Sequence, residues 1–101
     1  MDIFKVLADP TRRAVLERLA EAEPTATDLR AGFAISQPAM SQHLAVLREA
    51  GLIKERREGR FSHYSVAPQG LAPLHDWLAR YKAFWPSRID SLKDLLKEMD
   101  Q

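Results

Sequence analysis

Side chains that can recognise DNA are concentrated between residues 36 and 66. Gln and Ser can donate and accept hydrogen bonds at base edges, and Arg can bind phosphates or enter a minor groove. The candidates for base-edge contact are Gln37, Pro38, Ser41 and Gln42. The candidates for close approach or phosphate bonding are Ser36, Ala39 and His43. The candidates for contact with the flanking backbone or minor groove are Lys54, Arg56, Arg57 and Arg60.

Residues 37–50 carry the signals of a short amphipathic helix. Ser36 can accept a hydrogen bond from an N–H group of the first turn, and Pro38 falls in that turn, where its missing N–H costs little. Gly51 follows the helix at the position where a residue with positive φ commonly ends one. One buried stripe is predicted at spacings i, i+4 and i+7 by Met40, Leu44 and Leu47. The polar candidates then share the open face, although a solvated helix that binds nothing fits this segment equally well.

Residues 52–66 predict a β-hairpin directly after this helix. Glu58-Gly59 supplies a turn, and Tyr64 and Val66 alternate on the return strand. Residues 54–60 include four basic and two acidic side chains, so the segment is +2 in a chain that is +1 overall. A solvated hairpin whose charges only block aggregation is the alternative. We favour DNA contact because the basic hairpin follows the helix at once.

Two earlier segments predict the helices that position this region. Asp9 caps a helix that starts at Pro10, and Thr25 opens a short helix over 26–34. The segments 26–34 and 37–50 form a helix-turn-helix pair whose second member is the recognition helix.

Three motifs in this region identify a family. They are Leu-Ala-Asp-Pro-Thr-Arg at 7–12, Ser-Gln-Pro-x-x-Ser-Gln-His-Leu at 36–44 and Gly-Leu-Ile at 51–53. Together they resemble the winged helix-turn-helix of the ArsR/SmtB family of bacterial transcriptional repressors, over about two-thirds of the chain. The resemblance implies a mainly α fold with a two-stranded β-hairpin wing and C-terminal dimerisation helices. It also implies a homodimer, and we expect a repressor of a short palindromic operator in double-stranded DNA.

The C-terminal segment, about 69–100, carries most of the large aromatic surface. Its apolar residues recur at helical spacing, with an interruption at Pro86. A chain of 101 residues is too small to bury all of this surface in a single domain over 1–101, so we expect a second copy to cover it. The predicted dimer residues are Leu74, Trp77, Leu78, Tyr81, Phe84 and Trp85. A ligand pocket lined by the four aromatic residues of this set is the less favoured alternative.

Metal control is not expected, although some members of the family sense metals. The chain has no cysteine, and its three histidines, His43, His63 and His75, fall on three different elements. A zinc site typically needs four converging ligands. His75 and Asp76 are adjacent and point about 100° apart on a helix. We therefore predict no metal and no cofactor, and leave open an apolar effector entering near Trp77 and Trp85.

Composition excludes several other classes of protein. The opening Met-Asp-Ile-Phe-Lys lacks the features of a signal peptide, and no run approaches the ~20 apolar residues of a membrane span, so we expect a cytoplasmic protein. An enzyme is not expected, because Ser41 and His43 diverge by about 200° on one helix and no phosphate-binding loop is present. The remaining alternative is a winged-helix interaction module that never reads DNA.

Overall fold

The computed structural model describes residues 1–84 and 96–97. Within that part of the chain the helices are α1 (Ile3–Leu7), α2 (Pro10–Glu21), α3 (Ala26–Ala31), α4 (Gln37–Glu49) and α5 (Ala72–Ala79). The strands are β1 (Ile53–Glu58) and β2 (Phe61–Val66), which pair antiparallel. Two 3-10 turns, Pro68–Leu71 and Lys82–Phe84, flank α5. The predicted mainly α fold with a hairpin wing is confirmed.

Short polar side chains start the first four helices. Asp9 accepts hydrogen bonds from the backbone N–H groups of Thr11 and Arg12 at 2.8 and 3.1 Å, and Pro10 is the first residue of α2. Thr25 Oγ1 accepts from the N–H of Asp28 at 3.1 Å. Each contact satisfies a donor that the first helical turn leaves without a partner. The caps predicted at Asp9 and Thr25 are therefore confirmed.

Three element boundaries differ from the sequence prediction. The helix expected over 26–34 ends at Ala31, because Gly32 caps it with N–H bonds to the carbonyls of Arg30 and Leu29. The hairpin turn is centred on Gly59 and Arg60, one residue later than predicted, since Glu58 still pairs with Phe61. Gly59 has a φ of +63° and Arg60 does not have a positive φ, as in a type II′ turn.

The third difference concerns the C-terminal helix that was expected from about residue 69. It begins as a 3-10 turn and is α-helical only over Ala72–Ala79. Trp85, and the amphipathic segment beyond Pro86 apart from Leu96 and Lys97, lie outside the described residues.

One core joins α1 to α4 with the base of the wing. Its fully buried side chains come from three helices, α2, α3 and α4, and from the turn after α4, and the largest are Leu29, Met40, Leu47, Leu52 and Val15. The stripe predicted on α4 is buried, so that helix is fixed with its opposite face outward. The backbone N–H of Tyr64 also donates to the carbonyl of Pro24 at 3.1 Å, which attaches the wing to the loop before α3.

Gly70 fixes the start of the C-terminal segment against the end of α4. A Cβ atom at this position would collide with the carbonyl oxygen of Gly51 and press on Cα of Leu52. The N–H of Ala67 donates to the carbonyl of Leu52 at 2.9 Å in the same place. No pattern in the sequence predicts this backbone-to-backbone contact.

Candidate nucleic-acid interface

Both ends of α4 are fixed by the local sequence. Ser36 Oγ accepts a hydrogen bond from the N–H of Ala39 at 3.2 Å, which confirms the predicted cap. At the other end Gly51 has a φ of +76°, and its N–H donates to Arg48. The N–H of Leu52 donates to the carbonyl of Leu47, and together the two bonds form a Schellman motif. The helix therefore presents its exposed face from a rigid frame.

The base-reading candidates lie on the exposed side of α4, but they divide between its two flanks. Gln37, Pro38, Ser41 and Gln42 are all exposed. Gln37 and Ser41 face a groove of about 340 Å³ towards α3 and the wing. Gln42 and His43 face a second groove of about 270 Å³, which Arg12 of α2 also lines.

The first of these, the wing-side groove, combines an apolar floor with a polar rim. Met40 and Leu44 form its floor. Its rim is lined by Thr27, Arg30, Gln37, Ser41 and Arg48. An α-helix in a major groove has a sugar-phosphate backbone on each side, so basic residues beside both flanks of α4 match that geometry.

Three basic residues that line the two grooves were not among the predicted DNA contacts. They are Arg12, Arg30 and Arg48. Arg30 lies on α3 and reaches the carbonyl of Ile35 at 3.5 Å, while Arg12 donates to the carbonyl of Val6 at 2.7 Å. A search of the helix preceding the recognition helix for basic side chains would have found Arg30. Arg12 belongs to the Asp-Pro-Thr-Arg motif, which carries the family resemblance but was not predicted to contact DNA.

The two faces of the wing differ in how their charges are used. Successive side chains of a strand point to opposite faces, so Glu55 and Arg57 share one face and Arg56 and Glu58 share the other. Arg56 forms ion pairs with Glu58 at 2.8 Å and with Glu23 at 3.6 Å. Within the described residues no ion pair involves Lys54, Arg57 or Arg60. These three cations are consequently better placed for phosphates than Arg56.

The turn residue Arg60 occupies the tip of the hairpin and is exposed. Lys54 and Arg57 are exposed along β1. The wing follows α4 through the turn at Ala50–Gly51, and its Tyr64 lines the same groove as Gln37 and Ser41, whereas none of the basic wing residues lines either groove.

Among the ionisable groups of residues 1–84 and 96–97, two have shifted pKa values, and both stabilise the fold. The N–H group of Arg12 and then that of Thr11 lower the pKa of Asp9 below its usual value, against an opposing effect of burial. Burial raises the pKa of the Tyr64 hydroxyl, and the hydrogen bond that this hydroxyl donates to Glu55 raises it further. Both shifts favour the protonation state that each group has at neutral pH.

The predicted dimer residues form an aromatic surface that remains partly uncovered. Leu74 and Leu78 are half-buried, whereas Trp77, Tyr81 and Phe84 are 44, 43 and 64% exposed. The ring of Trp77 contacts Tyr81 at a centroid distance of 5.1 Å and Phe4 of α1 at 5.7 Å. Phe4 was not among the residues predicted for this surface. Trp85 lies outside the described residues.

No metal-binding group and no membrane-spanning helix is found in the described part of the chain. Residues 1–84 and 96–97 contain no cluster of three or more potential metal ligands. His75 Nδ1 lies 3.5 Å from Asp76, with both side chains exposed. No helix there is long and apolar enough to cross a membrane.

Comparison with known proteins places the chain among bacterial regulators. A helix-turn-helix domain model matches residues 7–56. The transcriptional repressor SdpR of Bacillus subtilis is 36% identical over 80 residues, which cover 79% of this chain and 89% of SdpR.

Solved structures give the same result. A crystal structure of a possible transcriptional regulator for arsenical resistance aligns with a TM-score of 0.72 at 44% identity, covering 93% of this chain and 95% of that one. An ArsR family transcriptional regulator aligns with a TM-score of 0.72 at 34% identity, covering 84% and 88% of the two chains.

Proposed function

We propose that this chain, which belongs to the ArsR family of winged helix-turn-helix transcriptional repressors, acts as a homodimer on a short palindromic operator. Membership of the family makes it a DNA-binding transcriptional regulator and not an enzyme. The observation that carries the finer proposal is the exposed polar face of α4, flanked by basic side chains on both sides. We expect it to act in the cytoplasm, where its DNA partner is found.

Base reading is assigned to the N-terminal half of α4. Gln37, Ser41 and Gln42 offer donors and acceptors to base edges, and Pro38 offers an apolar surface for close approach. The N-terminal part of a recognition helix is the part that usually enters the major groove. The lack of large side chains among these exposed residues supports the assignment.

Phosphate contacts are assigned to both sides of α4 and to the wing. Arg30 and Thr27 on the rim of the wing-side groove would bind one strand, and Arg12 with His43 would bind the other. The wing contacts are expected from Lys54, Arg57 and Arg60, with Arg56 contributing only to the general field because Glu23 and Glu58 compensate its charge. Ser36 and Ala39 would allow close approach of the backbone.

The aromatic surface of Phe4 and α5 is the proposed dimer contact. Exposed rings gain most of their stabilising free energy when a partner removes them from water, and a two-fold axis brings the same surface of two copies together. The two recognition helices would then be about one DNA turn, roughly 34 Å, apart. We do not expect metals to control the protein. If an effector exists, an apolar ligand that binds between the C-terminal helices would fit this aromatic surface.

Selection of bound sequences from random DNA, followed by titration at several salt concentrations, tests the proposal. If about six phosphates are neutralised per dimer, log affinity should fall with log salt at a slope of roughly −5. Gln42→Ala should cost on the order of 1–3 kcal/mol on the selected site and much less on random DNA. Arg60→Ala should weaken both and flatten the slope.

Gln69→Ala is the matched control, because this exposed amide lies in the turn before α5, which packs beside the C-terminal end of α4 and not beside the N-terminal half that carries Gln42. It should bind both DNAs like the wild type. Failure to select any sequence, or affinity independent of salt, would instead support an interaction module that does not read DNA.

A further inference from the structure

Three side chains from three elements meet where the wing leaves the helix-turn-helix. Tyr64 on β2 donates its hydroxyl hydrogen to Glu55 Oε2 at 2.7 Å. The same oxygen accepts from Arg48 Nη1, in the last turn of α4, at 3.4 Å. Glu55 and Tyr64 are direct cross-strand partners, so the carboxylate that contacts α4 is also held by a neighbouring side chain of the sheet.

This contact spans the connection between the two proposed DNA-binding elements. The chain passes from α4 to β1 through a short turn at Ala50 and Gly51, with a backbone φ of +76° at the glycine. The Arg48–Glu55 pair joins the elements on either side of that turn by their side chains. Tyr64 is only 7% exposed and anchors the pair in the core.

An acidic residue in a basic DNA-binding hairpin is electrostatically unfavourable for a polyanion. Glu55 shares its face of β1 with Arg57, so its charge opposes the field that would attract DNA. It also compensates the charge of Arg48, which lines the wing-side groove. Since Glu55 weakens the general attraction of DNA, we expect its contribution to recognition to come from the contacts that it makes with Arg48 and Tyr64.

We propose that Glu55 is a positioning residue, which sets the angle between the recognition helix and the wing so that both contact the same operator at once. The inference rests on the proposed DNA-reading function. Because the pair holds the wing in the orientation that an operator half-site requires, it favours specific binding. Because it also compensates the positive charge of Arg48, which could otherwise attract phosphates, it gives no advantage on random DNA.

Glu55→Gln is the principal test, measured on the selected operator and on random DNA across a range of salt concentrations. The amide keeps the size of the side chain and can still accept from Tyr64, but it cannot form the ion pair with Arg48. Affinity for the operator should fall, affinity for random DNA should hold or rise, and their ratio should fall roughly tenfold. Backbone footprinting should lose protection at the wing positions and keep it at the positions of α4.

Glu58→Gln is the matched control, since it removes the same charge from the same strand but from the opposite face. A general charge effect would change both variants alike, and the inference would then be wrong. Tyr64→Phe is the second variant, which removes only the hydroxyl and should lower the ratio in the same direction. An unchanged ratio in Tyr64→Phe and Glu55→Gln would overturn the inference.

The two proposals fail in distinguishable ways. A wild-type protein that does not discriminate between operator and random DNA contradicts the proposed function itself. A wild-type protein that discriminates, with variants that discriminate equally well, contradicts only the role of Glu55. Thermal unfolding of each variant identifies a loss of fold, and in that case the comparison of Tyr64→Phe with Glu58→Gln decides.

Discussion

Helices α4 and α5 are both amphipathic, but they differ in how much of their apolar face is buried within the protomer. Three side chains of α4 are buried within the protomer, while α5 buries none and leaves Trp77 close to half exposed. The first helix can therefore be held in place by its own chain, which suits an element that must present a fixed face to DNA. The second is left with exposed aromatic surface, which the second protomer of the proposed dimer would cover. The difference separates the proposed DNA-reading helix from the proposed dimer contact.

Leu47→Ala should cause the largest loss of stability of the variants considered. A small loss would contradict the view that α4 is held in place by its own chain. Leu47 is the fully buried C-terminal member of the stripe, so its truncation should lower the free energy of unfolding by about 2–5 kcal/mol. Urea unfolding of dilute protein measures this loss. Trp77→Ala, from the exposed stripe of α5, should cost clearly less under the same conditions, and equal losses would remove the distinction between the regions.

Trp77→Ala should instead weaken association of the two protomers. Loss of a central aromatic ring from an interface commonly costs about 2 kcal/mol, or roughly thirtyfold in the dissociation constant. Sedimentation over a range of concentrations measures it. The control is His75→Ala, an exposed residue of the same helix, which should sediment like the wild type. A wild-type protein that remains monomeric at micromolar concentration would contradict the assembly model.

Gly70→Ala tests the junction between the two regions. Its methyl group would collide with the carbonyl of Gly51, and such overpacking typically costs about 1–3 kcal/mol. Thermal or urea unfolding would show the loss. Gly32→Ala is the control, because there the added carbon meets only the flexible end of the Arg18 side chain and φ is an ordinary −87°. Comparable stability of the two variants would show that the C-terminal segment is not fixed against α4.

Asp9 should give the smallest effect, and one that depends on pH. Loss of the helix cap in Asp9→Ala should cost about 1 kcal/mol at pH 7. The pKa of Asp9 is lower in the fold than its ordinary value of 3.8, so its ionised form adds stability above that value. This contribution is lost as the pH falls through the lowered pKa.

The difference in free energy of unfolding between the wild type and Asp9→Ala should therefore become smaller below about pH 4. Asp9→Asn should keep much of the stability that the cap provides, and its stability should not show this pH dependence. Unfolding free energies measured from pH 7 to pH 3 would check both expectations. A constant difference over that range would contradict the role assigned to the carboxylate.

Local features of the fold were predictable because they depend on residues close in sequence. The caps at Asp9, Thr25 and Ser36, and the end of α4 at Gly51, follow from side-chain and backbone hydrogen bonds within a few residues. The boundary at Ala31 and the turn at Gly59 were misplaced by three residues and one residue. Several adjacent residues are compatible with a turn, and at the hairpin the pairing of Glu58 with Phe61 determines which of them form it.

The candidate site was only partly predictable, since some of its members come from distant segments. The polar face of α4 follows from helical periodicity around its buried stripe. The presence of Arg30 and Arg12 beside that face depends on how α3 and α2 pack against it, as does the compensation of Arg56 by Glu23. No spacing in the chain encodes these contacts.

The sequence by itself determined the helix-turn-helix, the hairpin wing and the family, because periodicity and capping act over short distances. Only the tertiary structure decided which wing charges are compensated, which residues flank α4 and that Glu55 links the wing to Arg48. It also decided that Gly70 packs on the backbone of Gly51 and that Phe4 joins the aromatic surface of α5. These contacts join residues that are up to 73 positions apart (Phe4 and Trp77), and they form only when the core brings the elements together.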